Sequence, residues 1–361
     1  MIFITFVVMI TETANYDLST HNTFGMKVKC ALYIEYDNAS DLEKIDWDSL
    51  PQPVMHIGGG SNLLFTGDFP GTVLHSKIKY IKYVDLGLDE IPVMVGAGTV
   101  FDDFVADTTK NGLWGAENLS LIPGEVGASA VQNIGAYGVE VKDIIKGVVC
   151  FDRQSRKNMK FKVTECEYGY RESMFKHAGG RYIITSVLFR LSRKPQPRLE
   201  YKGLATALGL PSGDAGTTEA AQTGLTPTAV RDAVIGIRQA KLPDPAVTGS
   251  AGSFFKNPVV DATTFAHIID VARTDGGPEA TVPHFILDNG FIKVPAAWMI
   301  EKCGMKGARL GGAAVYQNQP LVIVNASGDA TPQEVLDLEN KVIGAVRDKF
   351  GVELHPEVEH I

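Results

Sequence analysis

Clustered glycines restrict the folds that this chain can adopt. The chain contains 37 glycines, and they concentrate in a few short segments rather than in long linkers. The two richest are "GGGSN" (58–62) and "IPGEVGASAVQNIGAYG" (122–138). A residue without a Cβ atom lets the backbone turn sharply and approach another group closely. Both segments therefore predict sharp turns that pack tightly against another element or against a ligand.

Strand-like and helix-like segments alternate along the chain, which predicts an α/β or α+β class. Residues 54–65 have the pattern of strand, turn and strand, and residues 91–112 that of strand, glycine turn and helix, capped near Thr99. Further helices are predicted after Thr226 and Thr331, because each is followed by a proline suited to a first helical turn. A length of 361 residues favours more than one domain.

Two segments differ from this pattern. Residues 201–227 consist largely of Gly, Ala, Thr and Ser, which predicts a mobile loop or insertion. The apolar start "MIFITFVVMI" is too short to cross a bilayer and lacks the basic residues and cleavage site of a signal peptide. We therefore expect a cytoplasmic protein without a membrane span, with Met9 as an alternative translation start.

Charge and cysteine content argue against several classes of protein. A formal net charge of −8 argues against a nucleic-acid-binding protein with a broad basic surface, although it is compatible with a local basic pocket for an anionic small molecule. The four cysteines (30, 150, 166 and 303) are far apart in the sequence. They predict neither a zinc site nor a disulfide framework, and we expect no metal.

The segment "GGGSN" is suited to binding a phosphate group. Its three glycines can expose consecutive backbone N–H groups, and Ser61 and Asn62 can add hydrogen bonds. The segment matches neither the dinucleotide-binding pattern G-x-G-x-x-G nor the P-loop pattern. A simple hairpin turn explains this segment equally well when it is considered alone.

The segment "QNIGAYG" (132–138) combines small residues with amide and phenol groups. Such a mixture allows close backbone approach to a flat ring system with polar edges. Tight packing between two elements is the alternative interpretation. The presence of two such segments in one chain favours a dinucleotide as the ligand.

Two cations are candidates for binding an anionic ligand. Arg171, in "YGYRESMFK", can hold a carboxylate with two parallel hydrogen bonds, although an ordinary pair with Glu172 is the simpler explanation. Lys241 directly follows a predicted helix, where a cation also complements the helix dipole.

A hydroxyl and a carboxylate complete the set of candidates. Ser253 lies in "GSAGSFFKNP", between small residues and two phenylalanines that can anchor the segment. A strand entered through a glycine-rich turn is the alternative for this stretch. Glu357 lies four residues before the end of the chain, a position that usually carries no function.

Taken together, these segments resemble the UDP-N-acetylenolpyruvoylglucosamine reductase family of flavoenzymes. The similarity covers nearly the whole chain, and its segments follow one another in the family's order. They are "NTFG" (22–25), "GGGSN", "IPG" with "QNIGAYG", "YRES" (170–173), "KLPDP" (241–245), "GSFFKNP" (252–258) and "HPEV" (355–358).

The resemblance implies an α+β protein with an FAD-binding fold of the vanillyl-alcohol-oxidase type and a C-terminal substrate-binding domain. The implied division comprises two FAD-binding portions at 12–77 and 78–200, a mobile loop at 201–228 and an α+β substrate-binding domain at 229–353. Residues 354–361 are then expected to return to the active site.

The resemblance also implies a reaction, namely NADPH-dependent reduction of UDP-N-acetylglucosamine enolpyruvate to UDP-N-acetylmuramate in peptidoglycan synthesis. Hydride would pass from NADPH to FAD and then to C3 of the substrate. Ser253 would donate a proton to C2, while Arg171 and Glu357 would bind and polarise the carboxylate. We expect non-covalent FAD, because no histidine near "QNIGAYG" resembles an attachment point, and a monomeric enzyme. The alternative is another FAD-dependent oxidoreductase of this fold, acting on a different sugar or hydroxy acid.

The remaining implied residues bind FAD or substrate. Tyr201 matches the substrate-loop tyrosine of one subgroup of the family. The other expected substrate-binding residues are Tyr170, Lys241 and Asn257. The expected FAD-binding residues are Gly58, Gly59, Gly60, Ser61, Asn62, Leu63, Gly124, Asn133, Gly135, Ala136, Tyr137 and Gly138.

Overall fold

The computed structural model describes residues 10–84, 86–201, 203–211 and 224–361. These residues form two compact units whose segments interleave along the chain. Unit 1 contains the residues up to Tyr16, then Cys30–Gly59 and Phe69–Gln239, and unit 2 contains Asp17–Lys29, Gly60–Asp68 and Ala240–Ile361. The linear domain limits expected from the family resemblance stay a prediction.

Unit 1 contains a four-stranded sheet that is largely parallel. Strands Lys29–Tyr36 and Val54–Ile57 both run parallel to Phe69–Ser76, and Ile10–Asp17 adds an edge strand next to Lys29–Tyr36. Apolar side chains of these strands pack with residues of the connecting segment 37–53. The buried members include Ile34, Tyr36, Leu42, Trp47 and Leu74.

A second sheet of unit 1 is antiparallel and has five strands. Their order is Lys157–Lys162, Ile145–Asp152, Tyr182–Ser192, Glu90–Gly96 and Ile81–Tyr83. The segments "KGVVCFD" (146–152) and "RYIITSVLFRL" (181–191), rich in β-branched and aromatic residues, form most of the second and third of these strands. Phe104 packs against Phe189 of this sheet with ring centroids 4.4 Å apart, and both rings are fully buried.

The helices are, in chain order, α1 (Phe101–Lys110), α2 (Val126–Gln132), α3 (Met174–His177), α4 (Leu204–Ala207), α5 (Pro227–Lys241), α6 (Ala262–Gly276), α7 (Ala296–Lys302) and α8 (Pro332–Phe350). The predicted helices at 100–111, after Thr226 and after Thr331 are confirmed.

Helix α1 begins close to Thr99, as predicted, but the side chain of Thr99 does not cap it. The N-cap is Val100, which makes no side-chain capping bond. The hydroxyl of Thr99 instead accepts a hydrogen bond from the backbone N–H of Tyr80 at 3.3 Å. Thr99 therefore bonds to the residue before the strand Ile81–Tyr83 rather than to the first turn of α1.

Unit 2 combines short antiparallel strands with α6, α7 and α8. One sheet has the order Gly249–Ser250, Ile323–Asn325, Ala313–Val315 and Arg309–Leu310, and a second has Val259–Val260, Ile292–Lys293 and Phe285–Ile286. The parallel pair of Glu359–His360 with Leu63–Leu64 also belongs to this unit.

The segment predicted as a loop at 201–228 is only partly described. Residues Leu204–Ala207 form the short helix α4, and Leu204 packs with Trp114, Val230 and Val234 in one buried cluster. Residues 212–223 of the predicted loop lie outside the described residues, as does Met9, the alternative start. In the part of the chain that the structure describes, no helix combines the length and apolar character that a membrane span requires.

Replacing Thr331 by alanine should destabilise unit 2 through α8. Thr331 accepts a hydrogen bond from the N–H of Glu334, and the Glu334 carboxylate accepts one from the N–H of Thr331 at 2.8 Å. Thr331→Ala removes one half of this capping box, so we expect it to lower the free energy of unfolding by about 1 kcal/mol. Urea denaturation followed by circular dichroism measures the change. Thr331→Ser keeps the acceptor and is the control; equal stability of the two variants would contradict the capping role.

Candidate active site

The first two glycines of "GGGSN" pack against the second glycine-rich segment inside unit 1. A Cβ atom on Gly59 would lie 3.3 Å from Cα of Gly124, and one on Gly58 would lie 3.0 Å from Cβ of Ala128. Such distances are shorter than most real side-chain contacts, so Gly59 meets the backbone of Gly124, and Gly58 leaves room for the side chain of Ala128. The close approach predicted from the sequence is present, and part of it serves packing between the segments.

The remainder of the turn, Gly60 to Leu63, belongs to unit 2. Gly60 has φ of +61°, and a Cβ atom there would lie 1.9 Å from the carbonyl oxygen of His21, so only glycine fits. The side-chain amide of Asn62 donates to the backbone carbonyl of Glu357 at 3.1 Å. The backbone carbonyl of Asn62 accepts from the N–H of Glu359 at 3.0 Å. Ser61 is half-buried beside these contacts. The turn therefore holds the C-terminal strand in place.

The "QNIGAYG" segment is a tight hairpin after α2. Asn133 ends α2 in the left-handed conformation, with φ of 47°, and Gly135–Ala136 pairs with Val139–Glu140. Tyr137 and Gly138 at the tip also have positive φ, of 50° and 83°. Positive φ at both central residues is the pattern of a type I′ turn, which is the favoured connection in a two-residue hairpin.

Asn133 is completely buried and uses its side chain inside unit 1. Its amide nitrogen donates to the carbonyl of Gly169 at 2.7 Å and to the Glu140 carboxylate at 3.0 Å. Its amide oxygen accepts from the N–H of Lys142 at 3.2 Å. Asn133 therefore fixes the shape of the hairpin.

Arg171 lies against the same hairpin. Its guanidinium donates to the carbonyls of Asn133 at 3.2 Å and Gly135 at 2.9 Å. Arg171 has a backbone φ of 57°, which is rare for residues other than glycine and asparagine. Glu172, the simple salt-bridge partner that the sequence suggests for Arg171, lies 3.0 Å from His177. The contacts of Arg171 with the hairpin carbonyls orient its guanidinium.

Ser253 and Glu357 lie on adjacent backbone segments of unit 2. The N–H of Glu357 donates to the carbonyl of Phe254 at 2.8 Å, and the N–H of Lys256 donates to the carbonyl of His355 at 2.9 Å. Phe254 is fully buried, and Ser253 precedes it as a half-buried residue. The prediction that the phenylalanines anchor the serine is confirmed.

The four expected substrate-binding residues are divided between the units. In unit 1, Tyr170 and Tyr201 are exposed, and the Tyr201 ring lies 4.8 Å from that of Tyr137, edge to face. In unit 2, Lys241 is the exposed last residue of α5. The side-chain oxygen of Asn257 accepts from the N–H of Ala296 at 2.9 Å and so fixes the start of α7.

The structure adds a charged group in unit 1 that sequence reasoning missed. His75 lies 2.8 Å from the carboxylate of Glu125 and 3.1 Å from that of Glu35. Burial by itself would lower the pKa of His75, but hydrogen bonds and charges from Glu125 and Glu35 raise it above its ordinary value. The sequence offers no signal for this contact, since the three residues come from distant segments.

Comparison with known protein families gives two matches. Residues 47–156 match the family described as FAD binding domain. Residues 244–361 match the family described as UDP-N-acetylenolpyruvoylglucosamine reductase, C-terminal domain. Together they cover parts of both units and most of the candidate residues.

Full-length relatives and a solved structure extend these matches. The UDP-N-acetylenolpyruvoylglucosamine reductase of Bacteroides fragilis (strain YCH46) is 45% identical over 348 residues, covering 96% of this chain and 99% of the relative. That of Porphyromonas gingivalis (strain ATCC BAA-308 / W83) is 44% identical over 352 residues, covering 96% and 98%. The crystal structure of the Thermus caldophilus enzyme matches with a TM-score of 0.64 at 22% identity, covering 98% of this chain and 99% of that chain, which shows a shared fold. With relatives of this identity over almost its whole length, the chain belongs to the UDP-N-acetylenolpyruvoylglucosamine reductase family.

Proposed function

We propose that the protein catalyses the NADPH-dependent reduction of UDP-N-acetylglucosamine enolpyruvate to UDP-N-acetylmuramate, with FAD as its bound cofactor. The observation that carries this proposal is the 45% identity to a named reductase over 96% of the chain. We further propose a monomeric cytoplasmic enzyme of peptidoglycan synthesis.

The described residues fit FAD. Gly58 and Gly59 in unit 1 present backbone without side chains next to Gly124, and Gly138 has open space where a Cβ atom would point. Backbone N–H groups of such turns are the usual donors to a diphosphate. We propose that the glycine turn, with Ser61, Asn62 and Leu63, holds the diphosphate of FAD. We propose that Gly124 and the hairpin (Asn133, Gly135, Ala136, Tyr137 and Gly138) bind its ring system.

We propose Ser253 as the proton donor to C2 of the substrate. Bound FAD supplies the hydride that reaches C3, which leaves carbanionic charge at C2. A serine hydroxyl is a weak acid, but such a carbon is a strong base, so the transfer is favourable when the hydroxyl is correctly placed. The buried phenylalanine that follows Ser253 and the left-handed Gly252 before it restrict where this hydroxyl can point.

We propose that Arg171 binds the substrate carboxylate. An arginine stays charged at every working pH, and its planar donors match the two oxygens of a carboxylate. Two of these donors already bind the carbonyls of Asn133 and Gly135, which reduces the entropy lost when substrate arrives.

We propose that Glu357 helps Arg171 to polarise the substrate carboxylate, with a proton or a bridging partner on Glu357, because two ionised carboxylates would repel each other. Stabilisation of the enolate that forms there is the largest contribution that a pre-organised polar group can make. The backbone bond from Glu357 to Phe254 supports a fixed position for this side chain relative to Ser253.

We propose Tyr170, Tyr201, Lys241 and Asn257 as residues that bind the nucleotide part of the substrate. Tyr201 would then act as the substrate-loop tyrosine of its subgroup. Its exposure of 42% and its edge-to-face contact with Tyr137 support a ring available to a ligand.

Anaerobic absorbance spectroscopy of the flavin tests the function as a whole. The FAD-loaded protein is reduced with NADPH and then mixed with UDP-N-acetylglucosamine enolpyruvate. Return of the oxidised flavin spectrum, with formation of UDP-N-acetylmuramate, supports the proposal. Reduction by NADPH without reoxidation by this substrate would identify an oxidoreductase for a different acceptor.

Ser253→Ala should impair only the half-reaction that uses the substrate. We expect reoxidation of the reduced flavin by substrate to slow about 10²–10⁴-fold, because the proton donor is lost. Reduction by NADPH should keep its rate, since Ser253 takes no part in it. Ser49→Ala, which removes an exposed hydroxyl of unit 1, is the control. Equal slowing of both half-reactions by Ser253→Ala would show a structural role instead.

Arg171→Lys tests whether the planar arrangement of donors matters. Lysine keeps the positive charge but cannot form two parallel hydrogen bonds with a carboxylate. We expect substrate-dependent reoxidation to slow at least about tenfold, with a raised KM, by loss of about 1.4 kcal/mol or more of transition-state stabilisation. Stopped-flow absorbance measures both, with the exposed Arg190→Lys as control. An unchanged rate and KM would remove Arg171 from the substrate site.

A further inference from the structure

A chain of four charged side chains crosses unit 1 and ends at the glycine turn. Lys77 lies 3.3 Å from Glu35, Glu35 lies 3.1 Å from Nδ1 of His75, and Nε2 of His75 lies 2.8 Å from Glu125. The His75 and Glu125 side chains are only 8% and 10% exposed. Signs alternate along the chain, so each buried charge has a neighbour of the opposite sign.

The contacts of His75 with two carboxylates favour a proton on each of its ring nitrogens. Each nitrogen faces a carboxylate oxygen, and an ionised carboxylate can only accept hydrogen bonds. A neutral imidazole has one N–H, so its other nitrogen would present a lone pair to a carboxylate. The hydroxyl of Tyr33, 3.0 Å from Nδ1, can also donate to Glu35 at 3.2 Å. The imidazolium is therefore the form that fits this geometry.

Glu125 connects this chain to the turn proposed to hold the diphosphate. Its Oε1 atom binds His75, while its Oε2 atom would lie 3.4 Å from a Cβ placed on Gly58. It directly follows Gly124, which packs against Gly59. A carboxylate in this position, if not neutralised, would repel an anionic ligand on the turn across a poorly screened interior.

We propose that His75 is a positioning residue for the cofactor. Its imidazolium neutralises Glu125 beneath Gly58, and this neutralisation allows the turn to bind the diphosphate of FAD tightly. The inference rests on the proposed function only through FAD binding. It assigns His75 no contact with the substrate and no step in the reaction.

A set of matched variants tests this inference. For each variant, the dissociation constant of FAD is measured by titrating the apoprotein and following flavin fluorescence. His75→Gln removes the positive charge and should weaken FAD binding at least about tenfold, because Glu125 then stays unneutralised. Glu125→Gln should bind FAD as tightly as the unmodified protein or more tightly. The double variant should return to within about threefold of the unmodified protein, because both charges are absent.

His56→Gln is the matched control. His56 is a half-buried histidine of the same sheet, bound to the hydroxyl of Tyr36 at 2.8 Å, and desolvation lowers its pKa to about 3, so it carries no charge to lose. It should leave the FAD dissociation constant within about threefold. Thermal unfolding of each apoprotein measures any separate effect on stability.

The outcomes are distinct. An unchanged dissociation constant in His75→Gln, or a double variant that binds as weakly as His75→Gln, would overturn the inference. A lowered unfolding temperature with unchanged FAD affinity would do the same, by showing a purely structural role. Failure of the unmodified protein to bind FAD would contradict the proposed function itself.

A pH titration of FAD affinity replaces the variant if His75→Gln does not fold. The groups facing His75 are Tyr33, Glu35 and Glu125, with Lys77 behind Glu35 and the neutral His56 nearby. His75 carries a positive charge at low pH and loses it as the pH rises through its raised pKa. FAD binding should weaken over this range, and less so in Glu125→Gln. Equal pH dependence in both proteins would overturn the inference.

Discussion

The contact between Gly59 and Gly124 determines how the glycine-rich segments of unit 1 are arranged. A Cβ atom on Gly59 would lie 3.3 Å from Cα of Gly124. A side chain at position 59 would therefore displace the backbone of Gly124. The contact fixes the end of one parallel strand against the residue before Glu125 and α2. The hairpin that binds Arg171 then follows directly from the end of α2 at Asn133. A backbone contact far from Arg171 in sequence thus determines where its guanidinium can lie.

In unit 2 a comparable constraint joins segments almost 300 residues apart. Asn62 is bonded to Glu357 and Glu359, and Glu357 is bonded in turn to Phe254. These bonds form a short three-segment arrangement in which Ser253 and Glu357 are neighbours. Strands of two residues have no detectable periodicity, so sequence patterns cannot predict their pairing. Only the family resemblance indicated that the end of the chain would matter.

Sequence reasoning succeeded where the signal is local. The helices predicted after Thr226 and Thr331 depend on residues within one helical turn, and both are present, each with a hydrogen bond to the threonine hydroxyl. It gave no signal for the bond between the Thr99 hydroxyl and the backbone of Tyr80, or for the burial of Leu204, which depends on partners from α5 and on Trp114. The contacts of Asn133 and His75 are also tertiary, and nothing in their neighbours along the sequence distinguishes them from ordinary polar residues.

The chain from Lys77 to Glu125 shows why such contacts are difficult to foresee and still informative. Burying ionised groups is costly, and an apolar replacement of similar size is often at least as stable. Opposite charges in the chain from Lys77 to Glu125 compensate one another, which reduces the free-energy cost of burying them. Stability alone does not explain why these charged groups are buried. A protein with a net charge of −8 that binds anions needs local control of charge near its glycine turn. A buried, protonated histidine supplies a positive charge there without an exposed lysine or arginine that would compete with the backbone donors for the ligand.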